Sequence, residues 1–256
     1  MGEHGSWTDF LKEIPAYRDF LDSTQVALGR EWQWMMFGKS HFSLTHVLWA
    51  LVVFAIVLVG SLKFRASVKK KDGIIPPPKF NTRNFFEMIA DGTYGMMVQV
   101  MGEKSAERNL PLIGSLAFFI FLSNVMALIP GFGVPTTTLN TNVGIALLVF
   151  LATHYYGVRE HGLAYFKHFL GPLWWLSPLM LPIELISHIS RPVSLSLRLL
   201  GNMVADHKVV FSFFTLVPIL VPVPFLILGL LVSVVQTLVF CLLSMVYISM
   251  ATAHDH

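Results

Sequence analysis

The chain has 256 residues, of which 54% are hydrophobic and only 13% charged, with a formal net charge of +3. Soluble domains carry about 25% charged residues, so this composition, with a mean hydropathy of +0.64, excludes a soluble globular protein and implies an all-α polytopic membrane protein. Two stretches, 109–158 and 209–253, contain no Asp, Glu, Lys or Arg, and together they are long enough for several spans of about 20 residues.

Residues 1–42 read as an external or interfacial N-terminal segment. WTDFLKEIPAYRDFL (7–21) suggests a short helical piece on the membrane surface, interrupted at Pro15. No cleavable signal is expected, because this region lacks a basic start followed by a short apolar core. The first membrane helix is expected over 43–62. Lys63, Arg65, Lys69, Lys70 and Lys71 follow it directly, and such a cationic flank marks the cytoplasmic side. The N-terminus is then outside, and 63–108 is a cytoplasmic loop. In that loop IIPPPKF (74–80) is a stiff spacer. NFFEMIADGTYGMMVQVMG (84–102) is apolar but carries Glu87 and Asp91, which predicts an amphipathic helix at the interface; a partner-binding helix is the rival reading.

A membrane helical hairpin is expected over 109–158, with its uncharged outer turn at GFGVPTTTLNTN (131–142). Residues 159–181 form a cytoplasmic connection, with Trp174 and Trp175 at an interface. A second hairpin fills 182–251, and 252–256 is a cytoplasmic tail. The last helix, 225–251, spans about 40 Å at 1.5 Å per residue. That exceeds the ~30 Å hydrocarbon core, so the hairpin should tilt. The total is about five membrane helices, the last two a long tilted hairpin. The single Cys241 lies in an apolar run and reads as a packing residue.

The segment from Pro182 to Phe214 is apolar yet holds Glu184, His188, Arg191, Arg198, Asn202, Asp206, His207 and Lys208. At 100° per residue, Glu184, His188, Arg191, Leu195, Arg198, Asn202 and Asp206 share a stripe about 80° wide. A cation at the centre of a membrane helix costs ~3 kcal/mol on insertion scales, and intramembrane ionisable groups mark ion pathways. Asp206 is roughly 12 Å along the axis from Arg198, and 109–158 contains no acid. On the last helix Gly229, Gln236, Phe240 and Tyr247 share a face, and Gln236 cannot neutralise a guanidinium. The carboxylate for Arg198 should therefore come from another subunit.

RPVSLSLRLLGNMVADH (191–207), with Gln236 in SVVQTLVFCLLSMVYISMA (233–251), resembles subunit a of the F-type ATP synthase, bacterial type. The resemblance runs from about residue 84 onward and is strongest over 182–251. It implies a stator in the bacterial inner membrane, non-catalytic, whose terminal hairpin faces a ring of c subunits that carry ion-binding carboxylates. It further implies b subunits of a peripheral stalk, an F1 sector reached through the complex, and two aqueous half-channels. By the same resemblance Arg198 is the essential arginine between those half-channels. Asn202, His207 and Gln236 match positions of the outer one, and Glu184 matches the cytoplasmic one, where His188 stands one turn on. The carried ion is a proton, with sodium the alternative set by the ring. No cofactor and no nucleic-acid partner are implied.

The chain departs from the family's common pattern at the outer entry. Ala205-Asp206-His207 stands where Ala-Gly-Glu is common, and Gly229 where His or Glu often sits. Asp206 and His207 are then expected to supply the outer relay, with Gly229 leaving room for His207 or water; a pair between Asp206 and Lys208 is the alternative. The mechanism implied is electrostatic. A fixed cation lowers the pKa of an arriving carboxylate and drives off its proton, and it repels a proton that would leak directly. Arginine stays charged where a buried lysine would not. No Gly-x-x-x-x-Gly-Lys loop is present, so nucleotide chemistry belongs to other subunits. The competing class is a secondary transporter in which Arg198 clamps an anion. The histidines at 41, 46, 154, 161, 168 and 188 are scattered and lack metal-protease spacing.

Overall fold

The computed structural model describes residues 15, 32–34, 38–40, 44–68, 81–129, 134–162, 165, 177–216 and 222–252. Six long helices carry the fold: α1 (Leu44–Val68), α2 (Thr82–Met101), α3 (Glu103–Met126), α4 (Leu139–His161), α5 (Ser177–Leu216) and α6 (Pro222–Thr252). A 3-10 turn, Pro135–Thr137, lies between α3 and α4. Ahead of α1, β1 (Trp32–Trp34) pairs antiparallel with β2 (Gly38–Ser40), Trp34 opposite Gly38. The spacer at 74–80, most of the surface piece at 7–21 and of the connection at 159–181, and the tail beyond 252 lie outside the described residues.

Four of the described helices are long and apolar enough to cross a membrane, over Val47–Ala66, Glu103–Met126, Leu139–His161 and Pro222–Thr252. Helix α5 is longer still, at 40 residues, or about 60 Å. Its ionisable residues alone keep it from reading as a plain apolar span. At about 46 Å for α6 and 60 Å for α5, both must tilt or run beyond a ~30 Å core. The expected helical polytopic membrane architecture is found among the described residues, with four helices that qualify as spans where about five were expected.

The ends of the helices follow local chemistry. Helices α2 and α3 meet at Gly102, whose φ of 76° is a conformation that costs glycine nothing and other residues dearly. Helix α4 ends at Gly162, φ 60°, whose N–H bonds the Val158 carbonyl; glycine is the usual helix terminator for this reason. The expected first span, 43–62, runs six residues further, to Val68, and so takes in Lys63 and Arg65. A helix end leaves long basic stems free to reach the interface.

The bundle has two polar ends, named here by their connections. At the turn end, the Thr136 hydroxyl donates to Asn124 Oδ1 at 3.1 Å, and the Asn142 amide donates to the Thr136 carbonyl at 2.8 Å. All three residues are fully buried. At the connection end, Arg108 pairs with Glu160 at 3.0 Å and lies over the Tyr156 ring. Between the ends, Leu116, Ile120, Val134, Ala146, Val149, Leu195, Leu199, Met203 and Phe240 form one core. In lipid, such a core gains packing contacts rather than removal from water.

Helix α2 has a polar side, with Arg83 paired to Glu87 at 2.9 Å, but its apolar side meets protein. The Phe86 ring lies against Gly60 of α1 and stacks on Phe118 of α3. Met97 is buried with Ala106, Ile113, Cys241, Met245 and Ile248. Cys241 is thus a packing residue, as expected.

Candidate functional site

Helices α5 and α6 form an antiparallel hairpin whose register repeats. The Arg191 guanidinium sits 5.2 Å from the centre of the Tyr247 ring. Asn202 donates to Gln236 Oε1 at 2.7 Å. Phe213 stacks on Phe225 with centroids 4.1 Å apart. Each pair lies eleven residues from the next on both helices, or about three turns, so the same faces meet along the whole hairpin. Gly229, Gln236 and Phe240 are buried in that seam, which is the shared face read from the sequence.

The polar stripe on α5 does not face a single environment. Leu195, Leu199 and Met203 are buried and set the centre of the packed face. Arg198 precedes Leu199 by one residue and so points ~100° away. Its side chain is exposed. Among the described residues it has no hydrogen-bond or ion-pair partner. Leu195, placed with Arg198 on the 80° stripe, is 3% exposed. Packing on α4 and α6 divides the stripe: Leu195 is buried, Glu184, His188, Arg191 and Asp206 are half-buried, and Arg198 and Asn202 are exposed. Large apolar side chains share that outer surface, among them Ile186, Val193 and Leu197 on α5 and Leu231, Val235 and Leu238 on α6.

Toward the turn end, Asn202 and Gln236 are joined by their hydrogen bond, with Gln236 buried. One turn further, the Asp206 carboxylate occupies the space over Gly229. A Cβ added at Gly229 would stand 2.6 Å from Asp206 Oδ2 and 2.7 Å from Leu128 Cδ2. Asp206 and Leu128 thus both crowd the space over Gly229. The backbone of His207 continues α5, and its side chain lies outside the described residues. Lys208 is exposed.

Toward the connection end, Glu184 Oε1 and His188 Nε2 are 3.2 Å apart, the one-turn spacing read from the sequence. Pro192 has no N–H to offer the His188 carbonyl, which loosens the helix there. The His188 ring meets His154 of α4 edge-on, with centroids 5.3 Å apart. His154 Nδ1 lies 2.8 Å from the Phe150 carbonyl. Tyr165 lies edge-on to His154 at 5.9 Å and packs over Gly157. Burial pushes the Tyr165 phenol above its usual range, Arg191 opposing and Glu184 adding, so it stays neutral. A narrow cleft, part of it open to the exterior, runs between α4, α5 and α6. His154, His188, Arg191, Leu195 and Tyr247 are among its lining residues. His154 and Tyr165 are the site residues the sequence reading did not assign. The signal for His154 was its position, a histidine within a stretch without charged residues.

Among the described residues no group of His, Cys, Asp and Glu is arranged to hold a metal. The arrangement is an exposed cation between two polar clusters on the same hairpin, which suits charge transfer with an external group.

Residues 47–249 match the family described as ATP synthase A chain. The chain is 48% identical to ATP synthase subunit a 2 of Syntrophotalea carbinolica over 219 residues, covering 85% of this chain and 90% of that one. It is 46% identical to ATP synthase subunit a of Trichlorobacter lovleyi, with 85% and 91% covered. It is 50% identical to ATP synthase subunit a of Geobacter sulfurreducens over 174 residues, with 68% and 76% covered.

Proposed function

Since this chain belongs to the ATP synthase A chain family, we propose that Arg198 is the fixed charge past which ions are exchanged with a rotating ring. The chain is a membrane stator subunit of the synthase that translocates ions and is not itself catalytic. The transporter alternative gives way to this membership.

One observation carries it: the Arg198 cation is exposed on the hairpin, with no partner among the described residues, while Leu195 beside it on the stripe is buried. A cation held so in lipid is costly unless a carboxylate comes to it. The c-ring supplies that carboxylate. The guanidinium lowers its pKa as it arrives and drives off the ion, taken here as a proton. A permanent acid beside Arg198 within this chain would compete with the ring.

The two polar clusters are the half-channels. Glu184 and His188 belong to the inner one, reached from the cytoplasm. Asn202, Gln236, Asp206 and His207 belong to the outer one. This orientation follows from the cationic flank after α1, which puts the connection end and the C-terminus in the cytoplasm and the N-terminus outside. The domain boundaries read from the sequence are kept with it. The peripheral stalk's b subunits and the F1 sector complete the stator around this chain.

The test is Arg198→Ala in the intact complex. Coupled ATP synthesis is expected to fall to background while the complex still assembles with its ring. Normal coupled synthesis overturns the assignment of Arg198.

A further inference from the structure

We infer that His154 and His188 hold one shared proton at the cytoplasmic end of the hairpin, making His154 a second proton-holding residue of the inner channel. The inference rests on the reading above, in which Glu184 and His188 line that channel.

The geometry comes from three elements. His154 Nδ1 is 2.8 Å from the Phe150 carbonyl. A carbonyl only accepts, so Nδ1 carries a hydrogen and Nε2 is the nitrogen that gains or loses the proton. His188 uses Nε2 toward Glu184 at 3.2 Å. The two rings meet at 5.3 Å, and both line the cleft that reaches Leu195, one turn of α5 from Arg198. The groups facing the pair are Glu184 and Arg191 from α5, Tyr165 beside α4, and Tyr247 from α6 beyond Arg191.

Charge counting sets the occupancy. Two imidazolium rings and the Arg191 guanidinium would crowd three cations around one carboxylate. With one proton on the pair, two cations face Glu184, and the second proton is disfavoured. The pair then does what a lone carboxylate does poorly: it collects protons from a dilute bulk and passes one inward. His154 accepts at Nε2, the proton moves to His188 or Glu184, and the pair is refilled from water in the cleft.

The experiment uses everted membrane vesicles that carry the whole synthase, whose medium bathes the cytoplasmic face. ATP-driven proton pumping is normalised to ATP hydrolysis, and the medium pH is varied at fixed lumen pH. His154→Gln keeps a donor for the Phe150 carbonyl. It is expected to pump within about twofold of the parent at pH 6.5 and roughly fivefold more slowly at pH 8.5, where protons are scarce. The double variant His154→Gln/His188→Gln should pump no worse than His188→Gln alone, because the two act as a unit. A ratio of variant to parent that stays level across medium pH overturns the shared proton and leaves the Arg198 reading intact. A ratio that follows lumen pH overturns the sidedness on which the inference rests.

Discussion

The two halves of α5 on either side of Arg198 solve the same problem in opposite ways. On the connection side, polar groups from three helices are gathered: Glu184 and His188 from α5, His154 from α4 and Tyr247 from α6. On the turn side, the carboxylate stays on α5 and the neighbouring helix is emptied to receive it, Gly229 lying under Asp206. The first half adds chemistry across an interface. The second subtracts a side chain. Adding tolerates change at any one member, whereas subtraction leaves a fit in which one atom too many displaces a charge.

That contrast predicts its own largest failure. Gly229→His should cut proton-driven ATP synthesis by roughly tenfold or more, because the ring would collide with Asp206 and Leu128. Asp206→Gly combined with Gly229→His moves the polar group across the seam and should recover activity several-fold over Gly229→His alone. If the pair of changes is no better than Gly229→His by itself, the two positions do not share one space.

A smaller effect is expected at Asn202 and Gln236, which share one hydrogen bond. Interhelical hydrogen bonds in membranes are worth about 0.6–2 kcal/mol. Asn202→Ala, Gln236→Ala and the double change should each lower the thermal stability of the complex by similar amounts, the double falling short of the sum of the singles. Fully additive losses would mean that the bond is not the link between them. A loss of transport much larger than the loss of stability would separate a role in ion passage from one in holding the hairpin.

Much of the fold was legible because membrane helices leave a coarse signature in sequence. The charge-free stretches located α3, α4 and α6. The face shared by Gly229, Gln236, Phe240 and Tyr247 was legible too, since one helix's periodicity suffices for it. The division of the α5 stripe was not. Helical angles put Leu195 and Arg198 on the same side, and only the position of the neighbouring helices decides that one is buried and the other exposed. The role of Gly229 was half legible: its missing side chain showed that space exists, while the occupant depended on a contact between helices. His154 was out of reach for the same reason, because its partner lies 34 residues away on another helix. The apolar side of α2 is ambiguous in principle, since Phe86 and Met97 suit a lipid interface as well as the protein seam they occupy.

The exposure of Arg198 also bears on how the chain is made. Before any ring is present, its guanidinium lies on a surface that also bears Val193, Leu197, Val235 and Leu238. At ~3 kcal/mol, that burden shifts the balance between seated and unseated helix about a hundredfold. In cells lacking the c subunit, this chain should be degraded faster than its Arg198→Leu variant, and supplying the c subunit should erase the difference. Equal lifetimes without the ring would mean that the lone cation finds relief elsewhere, by snorkelling or by water drawn into the membrane. Arg198 would then be a residue that the cell's quality control cannot see.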